Sequence, residues 1–238
     1  MKIIIAAAGR GTRMKNLTVS QPKHLIKVLG RPFLFYLLEN IKAAGYKDII
    51  VIGGYKIEKL RNFLNSYDKK IKLVNQYKHV AKSYYGTACT VKSIQHLVKK
   101  EDFIFLAGDN LYSVKDLKNW HKLNHKSCYV GGLKNIHSQH YGVLKTKGKY
   151  LEKIIEKPKK FVGHVINASL YKFTPEIFAA IKKVKKSSRG EYEIIDAINI
   201  LAQQKKVKVA QIKDYWYDFG QPEDIKKIEK FLTKQTPN

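Results

Sequence analysis

Cysteine is nearly missing from this chain. Cys89 and Cys128 are the only two in 238 residues, and they form no C-x-x-C pair. That excludes a disulfide framework, makes both side chains small hydrophobes, and leaves a reducing cytoplasm as the expected compartment. Long apolar runs are missing as well: none approaches the ~20 residues of a membrane span. The apolar stretch after Lys2 is short and runs straight into glycines. A core strand is therefore expected there, and not a signal peptide. Internal repeats, low-complexity tracts and linkers are also lacking, so residues 1–238 are expected to form one α/β-sized domain.

Acids are scarce. Nineteen Asp and Glu stand against 46 Lys and Arg, a net charge of +27. Such a balance invites a nucleic-acid reading. Arginine, the preferred residue for base and phosphate recognition, is scarce too, with Arg10, Arg13, Arg31, Arg61 and Arg189 the only five. The lysines are spread over every expected element. Doublets such as Lys69-Lys70, Lys99-Lys100 and Lys182-Lys183 fall at helix ends and turns, where solvated charge is ordinary. The excess charge is read as a solvated surface that draws anionic substrates inward, with no membrane partner and nucleic acid disfavoured.

Two familiar phosphate motifs are absent. Nothing fits G-x-x-x-x-G-K-[ST]. A dinucleotide fingerprint needs a third glycine where this chain has Met14, and an acid about twenty positions on, whereas Glu39 lies further along inside a helical pattern. What is present is an apolar run, Ile3 to Ala8, leading into Gly9-Arg10-Gly11-Thr12-Arg13-Met14, with Gln21-Pro22-Lys23 soon after. Glycines let a backbone approach phosphates and aim its N–H groups at them. Arg13 offers a planar fork for phosphate oxygens, and Lys23 a point charge. A purely structural strand-to-helix turn remains the alternative for the loop alone.

Strand and helix patterns alternate. Strands are expected at 2–8, 48–52, 71–75 and 103–107, and helices at 32–44, 56–65 and 86–98. Short alternating strands follow at 127–133, 141–146, 149–156 and 165–173. Helices 175–185 and 191–203, a strand near 206–212 and a last helix started by Pro222 close the chain. This rhythm argues for a doubly wound, mostly parallel, Rossmann-like mixed sheet with helices on both faces. Ligands bind at the carboxyl ends of strands in such sheets, which places the Gly9 loop, Gln76 and Asp109 on one edge.

Phosphoryl and nucleotidyl transfer need a divalent cation held by one or two carboxylates. Asp109, in Gly108-Asp109-Asn110, directly follows an apolar strand; an Asx turn or cap is the competing role. Asp218 lies among aromatics in Trp216-Tyr217-Asp218-Phe219-Gly220. A carboxylate there needs a cation or metal partner, unless it only caps a turn. Glu156-Lys157-Pro158 ends an alternating strand, and Lys157 could reach an anion.

The ordered set resembles the sugar-1-phosphate nucleotidylyltransferases: Gly9-x-Gly11-Thr12-Arg13-Met14, Pro22-Lys23, Gln76 followed by Gly86-Thr87-Ala88, Gly108-Asp109-Asn110, Tyr141-Gly142-Val143, Glu156-Lys157-Pro158, Asn167, and Trp216-x-Asp218-x-Gly220-x-Pro222. It covers nearly the whole chain and looks most like the short enzymes that join glucose 1-phosphate to dTTP or UTP. The resemblance implies a nucleotide-diphospho-sugar transferase fold, with a nucleotide-binding half at 1–126, a sugar-phosphate-binding half at 127–238 and no C-terminal β-helix. It implies Arg13 and Lys23 as catalytic, and Ala7, Ala8, Gly9, Gly11, Thr12, Gln76, Gly86 and Thr87 around the NTP. Gly142, Glu156, Lys157 and Asn167 would hold the sugar phosphate, and Asp109 and Asp218 would hold Mg²⁺. A single amide at Gln76 suits uracil, thymine or cytosine. Many members carry Asn-Thr-Gly where this chain has Asn167-Ala168-Ser169, so a non-glucose acceptor stays open. CTP with a phosphorylated alcohol such as phosphocholine is one such alternative, and a nucleic-acid-binding or regulatory protein on the same fold is another. Oligomeric state is open, a homo-oligomer included.

Overall fold

The computed structural model describes residues 1–81, 84–135 and 137–235. The chain opens with β1 (Lys2–Ala7), follows an irregular loop to a small hairpin of β2 (Lys27–Val28) and β3 (Arg31–Pro32), and enters α1 (Phe33–Ala43). Then come β4 (Ile49–Gly53), α2 (Ile57–Tyr67), β5 (Lys72–Asn75), α3 (Thr87–Lys92), α4 (Gln95–Val98), β6 (Phe103–Ala107), β7 (Asn110–Tyr112) and α5 (Val114–Trp120). The second half holds β8 (Cys128–Lys134), β9 (Gly142–Lys147), β10 (Tyr150–Glu156), β11 (Val165–Phe173), α6 (Glu176–Ile181), α7 (Ile194–Gln203), β12 (Val207–Gln211), β13 (Trp216–Asp218) and α8 (Glu223–Gln235). No helix among the described residues is long and apolar enough to cross a membrane.

Nine strands form one mixed sheet in the order β5-β4-β1-β6-β11-β8-β12-β10-β9. The first four are parallel. β11 runs antiparallel to β6 and begins a second block in which β8 and β12 are parallel and the other pairs antiparallel. β9 also pairs with β11 through Val143 and Ile166, so this block curls back on itself. β1 is apolar from Ile3 to Ala7 because both of its faces are covered. Ile3, Ile5 and Ala7 join the core with Phe33, Leu34, Leu37, Leu38 and Ile41 of α1. Ile4 points the other way, into the core with Val91 of α3 and Ala197 and Ile198 of α7. Alternation of side chains along one strand thus feeds two cores.

Two expectations and one omission need correcting. The helix expected over 86–98 is two short helices. Buried Ser93 donates its hydroxyl to Thr90 O at 2.7 Å, a back-bond that bends a helix. α6 ends at Ile181 and α7 starts only at Ile194, because Tyr192 is spent on a crossing. Its N–H donates to Tyr85 O, and its carbonyl accepts from Ala88 N. The third concerns β2, β3, β7 and α5, which are too short to show a period in the sequence.

The crossing explains Gly86. Its φ is +129°, and a Cβ there would sit 2.4 Å from Tyr192 O and 2.6 Å from Tyr192 N. Neither backbone can move independently. Gly86→Ala is expected to destabilise the protein by about 3 kcal/mol or more, read as a fall in the melting temperature. An unchanged melting temperature would mean that the crossing is not tight.

Candidate active site

The carboxyl ends of β1, β4, β5 and β6 deliver four loops to one rim. After β1, buried Ala7 and Ala8 lead into the glycines. Ala8 O accepts from Tyr55 N at 3.1 Å, and Gly54 lies so close that a Cβ on it would stand 2.9 Å from that carbonyl. The loop from Gly9 to Ser20 is irregular, with Gly11 at φ +67° and Lys15 at φ +51°. Side chains pin it: Thr18 Oγ1 donates to Gly11 O and Lys15 O, and the Tyr55 hydroxyl reaches Thr18 O and Val19 O at 2.9 and 3.1 Å. Gly11 lies on the aliphatic stem of Lys23, where a Cβ would meet it at 3.0–3.2 Å. Thr12 and Arg13 are exposed.

Gly9 is different. Its φ is not positive, and a Cβ on it would meet nothing within 4 Å. The fold does not require a glycine there. Gly9→Ala is expected to keep its melting temperature within about 1 °C and to weaken nucleotide binding about tenfold or more, because the added methyl occupies space open to a ligand. Calorimetric titration with an NTP checks this, and unweakened binding would remove Gly9 from the phosphate site.

The carboxylates come together through a strand pair. β7 and β13 are antiparallel, with Asn110 opposite Asp218, and Phe219 N donates to Asp109 O at 2.8 Å. Asp109 and Asp218, remote in sequence, thereby face one cleft. Lys23 is buried at the start of a single 3-10 turn and forms an ion pair with Asp109. Burial alone would push the Asp109 carboxyl up, but the Lys23 charge and hydrogen bond hold it below its ordinary value. His24 is buried, with its Nδ1 unpartnered, and burial together with the Lys23 charge lowers its pKa to about 3, so it is neutral. Asp218 behaves oppositely. Burial first, then the Asp109 charge, raises it to about 6, while Lys23 and Arg13 pull it down. A Cβ on Gly220 would stand 3.3 Å from Asp218 Oδ2 and 3.6 Å from Arg13 Nη1, which brings the glycine-loop arginine to the same place.

A hydrogen-bond chain ties these acids to the opposite wall. Asn110 Nδ2 donates to Asp218 Oδ1 at 3.1 Å, and Tyr112 donates its hydroxyl among Asn110 Oδ1, Ala168 O and Ser169 O. Trp216 Nε1 also donates to Ala168 O. Sequence reasoning gave Tyr112 no role, because an apolar-flanked tyrosine carries no signal of its own. Asp109 and Asp218 are the carboxylates this cleft offers a cation. Among the described residues no cluster of three or more His, Cys, Asp or Glu accompanies them. Two carboxylates suit Mg²⁺, which keeps several waters and takes further oxygens from substrate phosphates. The raised Asp218, poorly solvated beside a second carboxylate, fits a site completed by a cation.

On the far wall Gly142 pairs with Glu156 across β9 and β10. A Cβ on Gly142 would stand 2.9 Å from Glu156 Oε2 and 3.7 Å from Asn167 Cβ, so these three predicted residues are neighbours. Lys157 follows at φ +41°, exposed, its N–H donating to Tyr141 O at 3.1 Å. Asn167 donates to the Tyr171 hydroxyl at 2.7 Å and accepts from Ser169 N. Ser169 sits at φ +53° in a bulge of β11, the conformation that a glycine adopts most readily.

Of the residues expected around the nucleotide, Gln76 is buried at the end of β5, where Thr90 holds its side chain. Gly86 is held against the Tyr192 backbone, and Thr87 Oγ1 accepts from Ile194 N at 2.8 Å at the start of α7. Nearby, Arg10, Gly54, Tyr55, Lys56, Tyr77 and Tyr85 line a cavity of about 610 Å³. It has two cations, three phenol rings and no acid.

Comparison with known proteins gives the family. The family model described as nucleotidyl transferase matches residues 2–235. A bifunctional sugar-1-phosphate nucleotidylyltransferase/acetyltransferase of Sulfurisphaera tokodaii is 33% identical over 233 residues, covering 97% of this chain and 55% of the relative. A UTP–glucose-1-phosphate uridylyltransferase of Haloferax volcanii is 30% identical, covering 99% and 98%. The chain thus spans about half the length of the bifunctional relative and nearly all of the uridylyltransferase. A solved UDP-glucose pyrophosphorylase complexed with UDP-glucose superposes with a TM-score of 0.82 over 99% of each chain at 19% identity, a likeness of fold.

Proposed function

The chain belongs to the nucleotidyl transferase family, and from that premise we propose that it transfers a nucleotidyl group from an NTP to a sugar 1-phosphate, releasing pyrophosphate. The observation that carries the reading is the convergence of Arg13, Lys23, Asp109 and Asp218 at the carboxyl ends of the parallel strands. Two polyanions must be held in line for an acceptor phosphate oxygen to attack the α-phosphorus, and pyrophosphate leaves as that bond forms. The backbone at Gly9 and Gly11 cradles phosphates. Arg13 stabilises the leaving pyrophosphate, and Lys23 offsets the charge that builds on the α-phosphoryl group. Asp109 and Asp218 would hold Mg²⁺, which would supply charge neutralisation across the phosphates. Glu156 and Asn167 accept or donate hydrogen bonds to acceptor hydroxyls, and Lys157 supplies a cation for the acceptor phosphate.

The test is a pyrophosphate-release grid. UTP, dTTP, CTP, GTP and ATP are each paired with glucose, galactose, N-acetylglucosamine and mannose 1-phosphates and with phosphocholine, with Mg²⁺ and with EDTA. One strong sugar 1-phosphate pair, silenced by EDTA, supports the proposal. Turnover with phosphocholine alone would replace the acceptor class. Silence throughout, with no nucleotide bound, would overturn the reaction.

A further inference from the structure

We propose that Asp116, a buried acid on α5, sets the cation affinity of the site by holding the segment that delivers Asp218. The inference rests on the reading of Asp109 and Asp218 as cation ligands. β13 is three residues long and meets β7 at three positions: Trp216 opposite Tyr112, Tyr217 opposite Leu111 and Asp218 opposite Asn110. A two-stranded ribbon that short does not hold itself together in water. Its ends must be fixed from outside for Asp218 to stay beside Asp109.

Asp116 fixes the entry. α5 starts directly after β7, with Ser113 as its cap. Asp116 Oδ1 accepts from Lys213 N at 3.1 Å, and Asp116 Oδ2 accepts from Asp214 N and from the Ser113 hydroxyl, both at 3.0 Å. One carboxylate thereby ties the residues that lead into β13 to the helix that leaves β7, and closes the ribbon at that end. The exit is held in the same manner: Asp224, on α8, accepts at Oδ2 from Gly220 N and Gln221 N, both at 3.0 Å. Capping α5 needs only the bond from Asp116 N to Ser113 Oγ, so the bonds to Lys213 and Asp214 are additional to it. Asp116 is buried, and these partners are a hydroxyl and two backbone N–H groups, none of them a cation. A buried charge held that way is costly. Asparagine would avoid the charge but brings one acceptor oxygen to two arriving N–H groups. The carboxylate is the group of that size that takes both. Asp116 acts on Asp218 through the chain from Asp214 onward, so it is a positioning residue. When its grip is lost, Asp218 is no longer held beside Asp109, and the cation loses a preorganised ligand.

The experiment is titration of the full chain with Mn²⁺, a cation that suits the same oxygen ligands and whose free form is counted by electron paramagnetic resonance. It compares the wild type with Asp218→Asn, Asp116→Asn and Ser113→Ala, each well below its melting temperature. Asp116→Ser makes the same cut with a smaller side chain, should Asp116→Asn not fold. Asp218→Asn and Asp116→Asn are each expected to bind Mn²⁺ about tenfold or more weaker than the wild type. Ser113→Ala removes the helix cap and leaves both carboxylate oxygens to Lys213 and Asp214. Its melting temperature should fall while its Mn²⁺ affinity stays within about twofold of the wild type. Loss of stability alone predicts no such split. Wild-type affinity in the Asp116 variants, with Asp218→Asn weakened, overturns the role of Asp116 and leaves the cation reading intact. An equal loss in Ser113→Ala assigns the effect to α5 as a whole and overturns the role as well. Failure of the wild type to bind Mn²⁺, or undiminished binding by Asp218→Asn, overturns the cation reading and this inference with it.

Discussion

Arg13→Ala is expected to lower kcat/KM by about 10²–10³-fold and to leave the melting temperature within about 1 °C. The size follows from deleting one preorganised donor that meets developing charge on a transferring or departing phosphate. The unchanged stability follows from the structure. Arg13 is exposed on the irregular loop, and no ion pair to it exists among the described residues. Its guanidinium reaches Gly220 and faces Asp218 across the cleft without supporting the core. Arg13→Lys keeps the charge and loses the fork, so most of the loss should remain. Steady-state kinetics on the best substrate pair, with thermal melts alongside, decide the matter. A near-normal rate in Arg13→Ala would remove this loop from the phosphate site.

Asp218→Asn should separate activity from stability. Turnover is expected to fall at least about 10²-fold, since one of two carboxylates available to the cation is lost. Yet the cation-free variant should be more stable than the wild type at pH 8, by about 1–3 kcal/mol. In the folded protein the Asp218 carboxyl keeps its proton up to about pH 6, against an ordinary 3.8. The folded state therefore binds that proton more tightly than the unfolded chain does. Its stability contribution is complete below pH 4 and is lost as pH rises through 6. Asparagine carries no charge to desolvate beside Asp109, so its advantage grows between pH 4 and 6 and is constant above. Mg²⁺ should reverse the order by stabilising the wild type at pH 8, less so at pH 5, and the variant little at either. Melts in EDTA and in Mg²⁺ at pH 5 and 8 test both signs. A variant less stable than the wild type in EDTA at pH 8 would show that Asp218 is well solvated or already paired.

The sequence by itself determined the α/β architecture. β1, β4 and β6 carry short apolar runs separated by helical periods, and a strand covered on both faces must be apolar throughout, whereas β5, at the sheet edge, is apolar only at Leu73 and Val74. β6 and β11 fall on the residues expected for them. The glycine loop and its cations were legible for a similar reason, because phosphate-cradling backbone needs specific residue types at close spacing. Tertiary structure alone decided what meets what. No local pattern could bring Asp218 to Asp109, since the contact is made by β7 and β13, three residues each and too short to carry a period. Nor could it give Gly86 its reason, which is the Tyr192 backbone more than a hundred residues away. The opposite carboxyl tendencies of Asp109 and Asp218 likewise follow from Lys23 lying on one acid and not on the other. Local propensity and periodicity are written in neighbouring residues, whereas burial, pairing and charge coupling depend on which distant segments the fold packs together.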